Sequence, residues 1–319
     1  MDNRKYYKTI VLCKTYIHDH YKYKDIFQIY PVVEPRANAE TYITQVPMYL
    51  EYWIDEITTK KSAPPIFNGS KPTFDESQNN YLKDLLRQLT VYTGIHFYVE
   101  DYKLTWCTPM DPDSVSLQIA DESVYAINGY FAMYPPIMDF TVIDSKVYEI
   151  LPGDGYQQLS GKDSITELFD KYYSLDKGKI PSVINSMALV SQAKSLSSRM
   201  KSVSFILLVS AIETLIDLER VLSGQEVERC SKCKTPKYKP TKNFIEFVKT
   251  YSKESGKEIK VFLSNVYDIR SKISHAGNLL LGDAVLDWDN FKTEQEHEIL
   301  LMTLEMYVCK SIRAWLLSQ

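Results

Sequence analysis

Arg270 and His275 lie five positions apart in the run Arg270-Ser271-Lys272-Ile273-Ser274-His275, which continues into Ala276-Gly277. Arginine is permanently cationic and forks onto phosphate oxygens. Histidine is the side chain whose ordinary pKa lies close to neutrality, so it can give or take a proton there. Such a pair suits cleavage of a phosphodiester without a metal. On a helix, residues three to five apart span little more than one turn, which predicts both side chains near one face. The spacing alone has little weight. A chain of this composition holds such a pair by chance in about one case in eight.

Glu213 is the next residue with chemical promise. It falls within an apolar helical run, FILLVSAIETLIDLE, where a carboxylate is costly to bury without a partner. Arg270 is the natural partner if the two helices pack. Otherwise Glu213 sits at the edge of the face and reaches solvent. Asp217, one turn on, is the weaker alternative.

Cys230 and Cys233 form half of a zinc knuckle. A structural zinc needs four ligands, and no second CxxC follows. Two copies meeting near a two-fold axis would supply four thiolates. The simpler reading is two reduced thiols in an inter-helix turn. Around them, Arg229, Lys232, Lys234, Lys237, Lys239 and Lys242 place six cations in 14 residues, with Tyr238 among them. Such a strip can track a nucleic-acid backbone, with the tyrosine available to stack on a base. Lys272, inside the Arg270–His275 run, would join those contacts. A solvated lysine-rich loop is the alternative.

These residues must be positioned by elements of two kinds. Residues 1–165 read as a mixed α/β domain. Thr9–Cys13, Ile26–Tyr30 and Ile95–Val99 are strand candidates, and Phe74–Leu89 is a helix with Asp75 as its N-cap. Residues 114–150 hold short alternating runs separated by turn signals. From about 166 to Gln319 the pattern is helical. Candidate helices are Ile165–Tyr173, one from Pro181 to Leu196, Ser198–Leu222, one marked by Phe244 to Tyr251, Ile259–His275 and Phe291–Leu317. Gly277 stands where a C-terminal cap belongs. The expected fold class is α+β: a mixed N-terminal domain followed by an all-α bundle.

Composition narrows the classes. Of 319 residues, 45% are hydrophobic and 24% charged, ordinary values for a soluble globular protein. The net charge of −4 gives no global attraction to nucleic acid, so any such attraction must be local. Five cysteines do not make a disulfide framework. The most apolar stretch, Val203 to Leu218, carries Ser204, Ser210, Glu213 and Asp217 and falls short of the roughly 20 apolar residues a membrane span requires. The N-terminal apolar run is too short for a signal-peptide core. A cytoplasmic location is expected. No phosphate-binding glycine loop, GxSxG or HExxH motif occurs.

With the motif at a helix end, the helix bearing Glu213 about sixty residues upstream and a long closing helix, residues 180–319 resemble the HEPN ribonuclease superfamily. The runs YDIRSKISHAG and ETLID look most like its ApeA-like branch. The resemblance implies a homodimer in which two Arg-x4-6-His motifs face each other. It also implies metal-independent endoribonuclease activity, needing no cofactor, in bacterial antiviral defence, abortive infection or a toxin system. Carried onto this chain, Arg270 would hold the scissile phosphate and stabilise its developing charge. His275 would serve as general base on the ribose 2′-hydroxyl or general acid on the leaving oxygen. Active members commonly carry Asn, Asp or His after the arginine. Ser271 stands there in this chain, able to hydrogen-bond but with a shorter reach. Ser271 and Glu213 are the supporting site residues. The N-terminal domain, to which the resemblance does not extend, would bind an activating ligand or protein. The rival reading is an inactive HEPN-fold module that binds RNA or a protein.

Overall fold

The structure, a computed structural model, describes residues 4–13, 21–31, 46–55, 74–99, 107–109, 117–119, 165–224, 239–280, 283 and 291–319. Two compact units result. One comprises Met1–Leu86 with Ile95–Phe169, the other Arg87–Gly94 with Asp170–Gln319. The fold class is α+β, an antiparallel sheet followed by helices.

In the first unit, β1 (Arg4–Cys13), β2 (Tyr21–Tyr23), β3 (Phe27–Pro31) and β4 (Val46–Asp55) form one antiparallel sheet in the order β1-β4-β3-β2. The alternation of Met48, Leu50, Tyr52 and Ile54 turns β4's apolar side to the core, as period-two geometry requires. Phe27 and Ile29 follow the same rule on β3, and Phe169 packs on Tyr21, Tyr23 and Phe27. The other side carries Glu51, fully buried in register with Lys8 and Gln28. Tyr30 donates to it at 2.8 Å, Gln28 also bonds it, and Lys8 lies 3.8 Å away. Helix α1 spans Phe74–Thr93, one turn beyond its expected end. The strand expected over Ile95–Val99 is reduced to a single bridge between Leu12 and Tyr98, with N···O distances of 2.8 and 3.1 Å. A short ribbon pairs β5 (Cys107–Pro109) with β6 (Leu117–Ile119). The other runs expected in 114–150 lie outside the described residues.

The helices are α2 (Ile165–Ser174), α3 (Ile180–Leu196), α4 (Lys201–Leu222), α5 (Pro240–Ser252), α6 (Lys257–Ala276) and α7 (Phe291–Leu317). In the second unit α4 is central and packs against α3, α5, α6 and α7. Its run lacks Gly and Pro, and Phe205, Leu208, Val209, Ile212 and Leu215 recur at helical spacing and are fully buried. Each contributes about 1.5–3 kcal/mol of apolar burial. Leu304, Val308, Ile312 and Trp315 of α7 are fully buried as well.

The last two turns of α1 count with these helices. Lys194 Nζ donates to Gly94 O at 2.7 Å and pairs with Glu305. Arg313 Nη1 donates to Tyr92 O at 3.0 Å. Two cations, each under a tenth exposed, thus take up carbonyls at the C-terminal end of α1, the end where a helix favours positive charge. No helix among the described residues is long and apolar enough to cross a membrane.

Candidate functional site

Helix α6 buries Ile259, Leu263, Val266, Tyr267 and Ile273, a stripe repeating every three to four residues. Arg270 falls on that stripe, between Val266 and Ile273. It is the one basic position on the inward side, which directs it toward α4. On α4, Glu213 follows Ile212 at the edge of the buried face and is about one-quarter exposed. The two meet: Arg270 Nη2 donates to Glu213 Oε2 at 3.2 Å. The other carboxylate oxygen accepts the Tyr267 hydroxyl at 2.8 Å. The Arg270 guanidinium also lies over the Tyr267 ring, 5.6 Å from its centre. Glu213 is therefore partnered rather than solvated.

Tyr267 is the member of this cluster that sequence reasoning missed. Its place three residues before Arg270, on the same stripe, was the available signal. Burial pushes its phenol up to about 12, reinforced by the hydrogen bond to Glu213 and by that carboxylate's charge and opposed by Arg270. The phenol thus remains a proton donor to Glu213 at neutral pH. Arg270 Nε is buried and has no hydrogen-bond partner. The guanidinium is anchored through Nη2, and its Nε–H donor is unused.

His275 is differently placed. α6 stays helical through Ala276, so at about 100° per residue His275 sits roughly 140° around the helix from Arg270. Arg270 faces α4, and His275 is exposed. The expectation of one shared face gives way because five residues turn an α-helix well past one full turn, leaving the two side chains on different sides of it. Gly277 then takes a left-handed φ of +67°, and its N–H and that of Asn278 return to Lys272 O. Ser271 is half-buried and Lys272 exposed.

The remaining expected residues divide. Lys239 lies at the start of α5 and is exposed, and Lys242 forms a 3.5 Å exposed pair with Glu246 that is worth little. Cys230, Lys232, Cys233, Lys234, Lys237 and Tyr238 lie outside the described residues, as does Arg229. Among the described residues no group of three or more His, Cys, Asp or Glu side chains could hold a metal. His96 stacks on Tyr98, with ring centres 4.9 Å apart. Burial holds His297 below the ordinary imidazole value, helped by the charge of Lys201.

No protein-family model matches this chain, and no curated protein or solved structure matches it either.

Proposed function

We propose that the helical unit is a metal-independent endoribonuclease of the HEPN type, acting in the cytoplasm as a homodimer in bacterial antiviral defence, abortive infection or a toxin system. The observation that carries this reading is the state of Arg270. Glu213 and Tyr267 hold its guanidinium from one side, while its Nε–H is buried and has no acceptor. The side chain is about one-quarter exposed, and an anion reaching that part would gain a charge-assisted hydrogen bond from the guanidinium. A phosphodiester oxygen suits this donor, and RNA supplies the neighbouring 2′-hydroxyl that a metal-free reaction needs.

In this mechanism the 2′-oxygen attacks phosphorus and the 5′-oxygen leaves. His275 takes the 2′-hydroxyl proton or returns one to the leaving oxygen. Arg270 stabilises the charge that builds on the non-bridging oxygens. The product is a 2′,3′-cyclic phosphate and a free 5′-hydroxyl. Because Arg270 and His275 point in different directions from α6, a dimer in which two Arg-x4-6-His motifs face each other would let the two copies complete one another across a shared cleft. That favours the dimer. Lys239, Lys272 and the basic run from Arg229 to Lys242 would follow the RNA backbone.

The test is binding and cleavage of single-stranded RNA in excess EDTA, with Arg270→Ala and His275→Ala beside the wild type. Cleavage lost in both variants supports the enzyme. Undiminished RNA binding without cleavage by the wild type selects the inactive RNA-binding module instead.

A further inference from the structure

The chain that follows His275 is fastened to the start of α4. Leu280 is buried, and its N–H donates to Ser202 Oγ at 2.8 Å. Asp283 folds back to Leu280 through a 3.2 Å backbone hydrogen bond. Its two carboxylate oxygens then divide between the first two amides of α4: Oδ1 accepts Lys201 N–H at 2.7 Å and Oδ2 accepts Ser202 N–H at 2.6 Å. The residue before α4 is Met200, whose side chain makes no cap. A carboxylate some eighty residues away in sequence fills that role, where free N–H groups and the helix dipole both favour an anion. Lys201 Nζ is engaged by Glu298 at 3.0 Å.

α4 therefore holds both ends of the motif. Glu213, near its middle, grips Arg270, while its first residues grip the chain beyond His275. Ser202 and Glu213 lie eleven positions apart, roughly 16 Å of straight helix. We infer that Asp283 is a positioning residue for His275: its two-pronged cap on α4 fixes the chain after Gly277, and through it the last turn of α6, relative to Arg270. The inference rests on the ribonuclease reading for its catalytic consequence. Its structural content is independent of that reading. Misplacing a reacting group by about 1 Å costs up to a hundredfold in rate, so the tether matters to turnover more than to binding.

The experiment compares Asp283→Ala and Asp283→Asn with the wild-type full chain. Single-turnover RNA cleavage in EDTA is measured alongside the NMR linewidth and titration of the His275 imidazole. Asn keeps one acceptor oxygen, so it serves as the milder variant if Asp283→Ala folds poorly. The expected result for Asp283→Ala is a loss of about ten- to a hundredfold in the cleavage step, with KM changed by no more than about twofold. Its His275 signals should narrow, and Asp283→Asn should lie between. Trp315→Phe, which loses a contact to Glu219 at the far end of α4, should leave the His275 signals in place. Full cleavage by both Asp283 variants with unchanged His275 signals overturns the positioning role and leaves the ribonuclease reading standing. A wild type that does not cleave overturns the ribonuclease reading. In that event the imidazole signals decide the tether, and unchanged signals overturn it.

Discussion

Glu213 Oε2 stands 3.2 Å from Arg270 Nη2, joining α4 to the motif helix α6. Both side chains are about one-quarter exposed, so the pair is neither a surface bridge nor a sealed one. Glu213→Ala leaves Arg270 and the Tyr267 hydroxyl without their acceptor. Chemical denaturation should show a loss of about 1–2 kcal/mol. Glu213→Gln retains a carbonyl for Tyr267 and should lose less. If Arg270 acts on phosphate, both variants should also lower the cleavage rate.

Tyr267 and Tyr251 should be among the last of the 24 tyrosines to ionise. Both are pushed up to about 12, first by burial and then by a carboxylate, Glu213 for one and Glu219 for the other. A raised phenol favours the folded state while it stays neutral. That contribution is complete below the ordinary value near 10 and is lost as pH rises through about 12. Tyrosine ring-carbon NMR should show the Tyr267 midpoint falling in Glu213→Gln and the Tyr251 midpoint unmoved.

Gly277 ends α6 at φ +67°, with open space where a Cβ would go. Gly277→Ala thus meets conformational strain but no clash. A stability loss of about 1–2 kcal/mol is expected in thermal melts, and less for Gly277→Asn. Because the residue lies two positions after His275, Gly277→Ala should reduce cleavage at temperatures where the protein remains folded.

Lys194→Met removes the donor to Gly94 O and the partner of Glu305. The stranded carbonyl and carboxylate should cost about 2 kcal/mol, read as a lower urea midpoint. Excising residues 166–319 keeps Glu305 but removes Gly94 O along with Tyr92 O. That piece should melt below the full chain.

Much of this arrangement was legible in the sequence. Apolar spacing located α4, α6 and α7 because their cores are local patterns. The Glu213–Arg270 pairing was one of two readings the sequence allowed, suggested by the cost of an unpartnered carboxylate on an apolar face, and the packing of α6 on α4 selects it. β4 carried a readable alternation at Met48, Leu50, Tyr52 and Ile54, yet it was not among the expected strands. Ile95–Val99 has strand-forming residues but finds only one bridge, because pairing depends on a neighbour that the local sequence does not specify. Asp283 was not legible at all. It caps a helix some eighty residues earlier, and no local pattern encodes a contact of that range. The shared face expected for Arg270 and His275 fails on helical geometry, since α6 ends about where the sequence placed its end and a five-residue step still leaves the two side chains about 140° apart.

The central claim is that Arg270 and His275 cut RNA through the 2′-hydroxyl without metal. The most direct measurement is mass-spectrometric end-group analysis of RNA incubated with the purified full chain in excess EDTA. 2′,3′-Cyclic phosphate and 5′-hydroxyl ends are expected with the wild type. Neither end is expected with His275→Ala or Arg270→Ala, and no cut where the ribose at the scissile position is 2′-deoxy. Cleavage that persists in His275→Ala, or that yields 5′-phosphate ends, would contradict the claim.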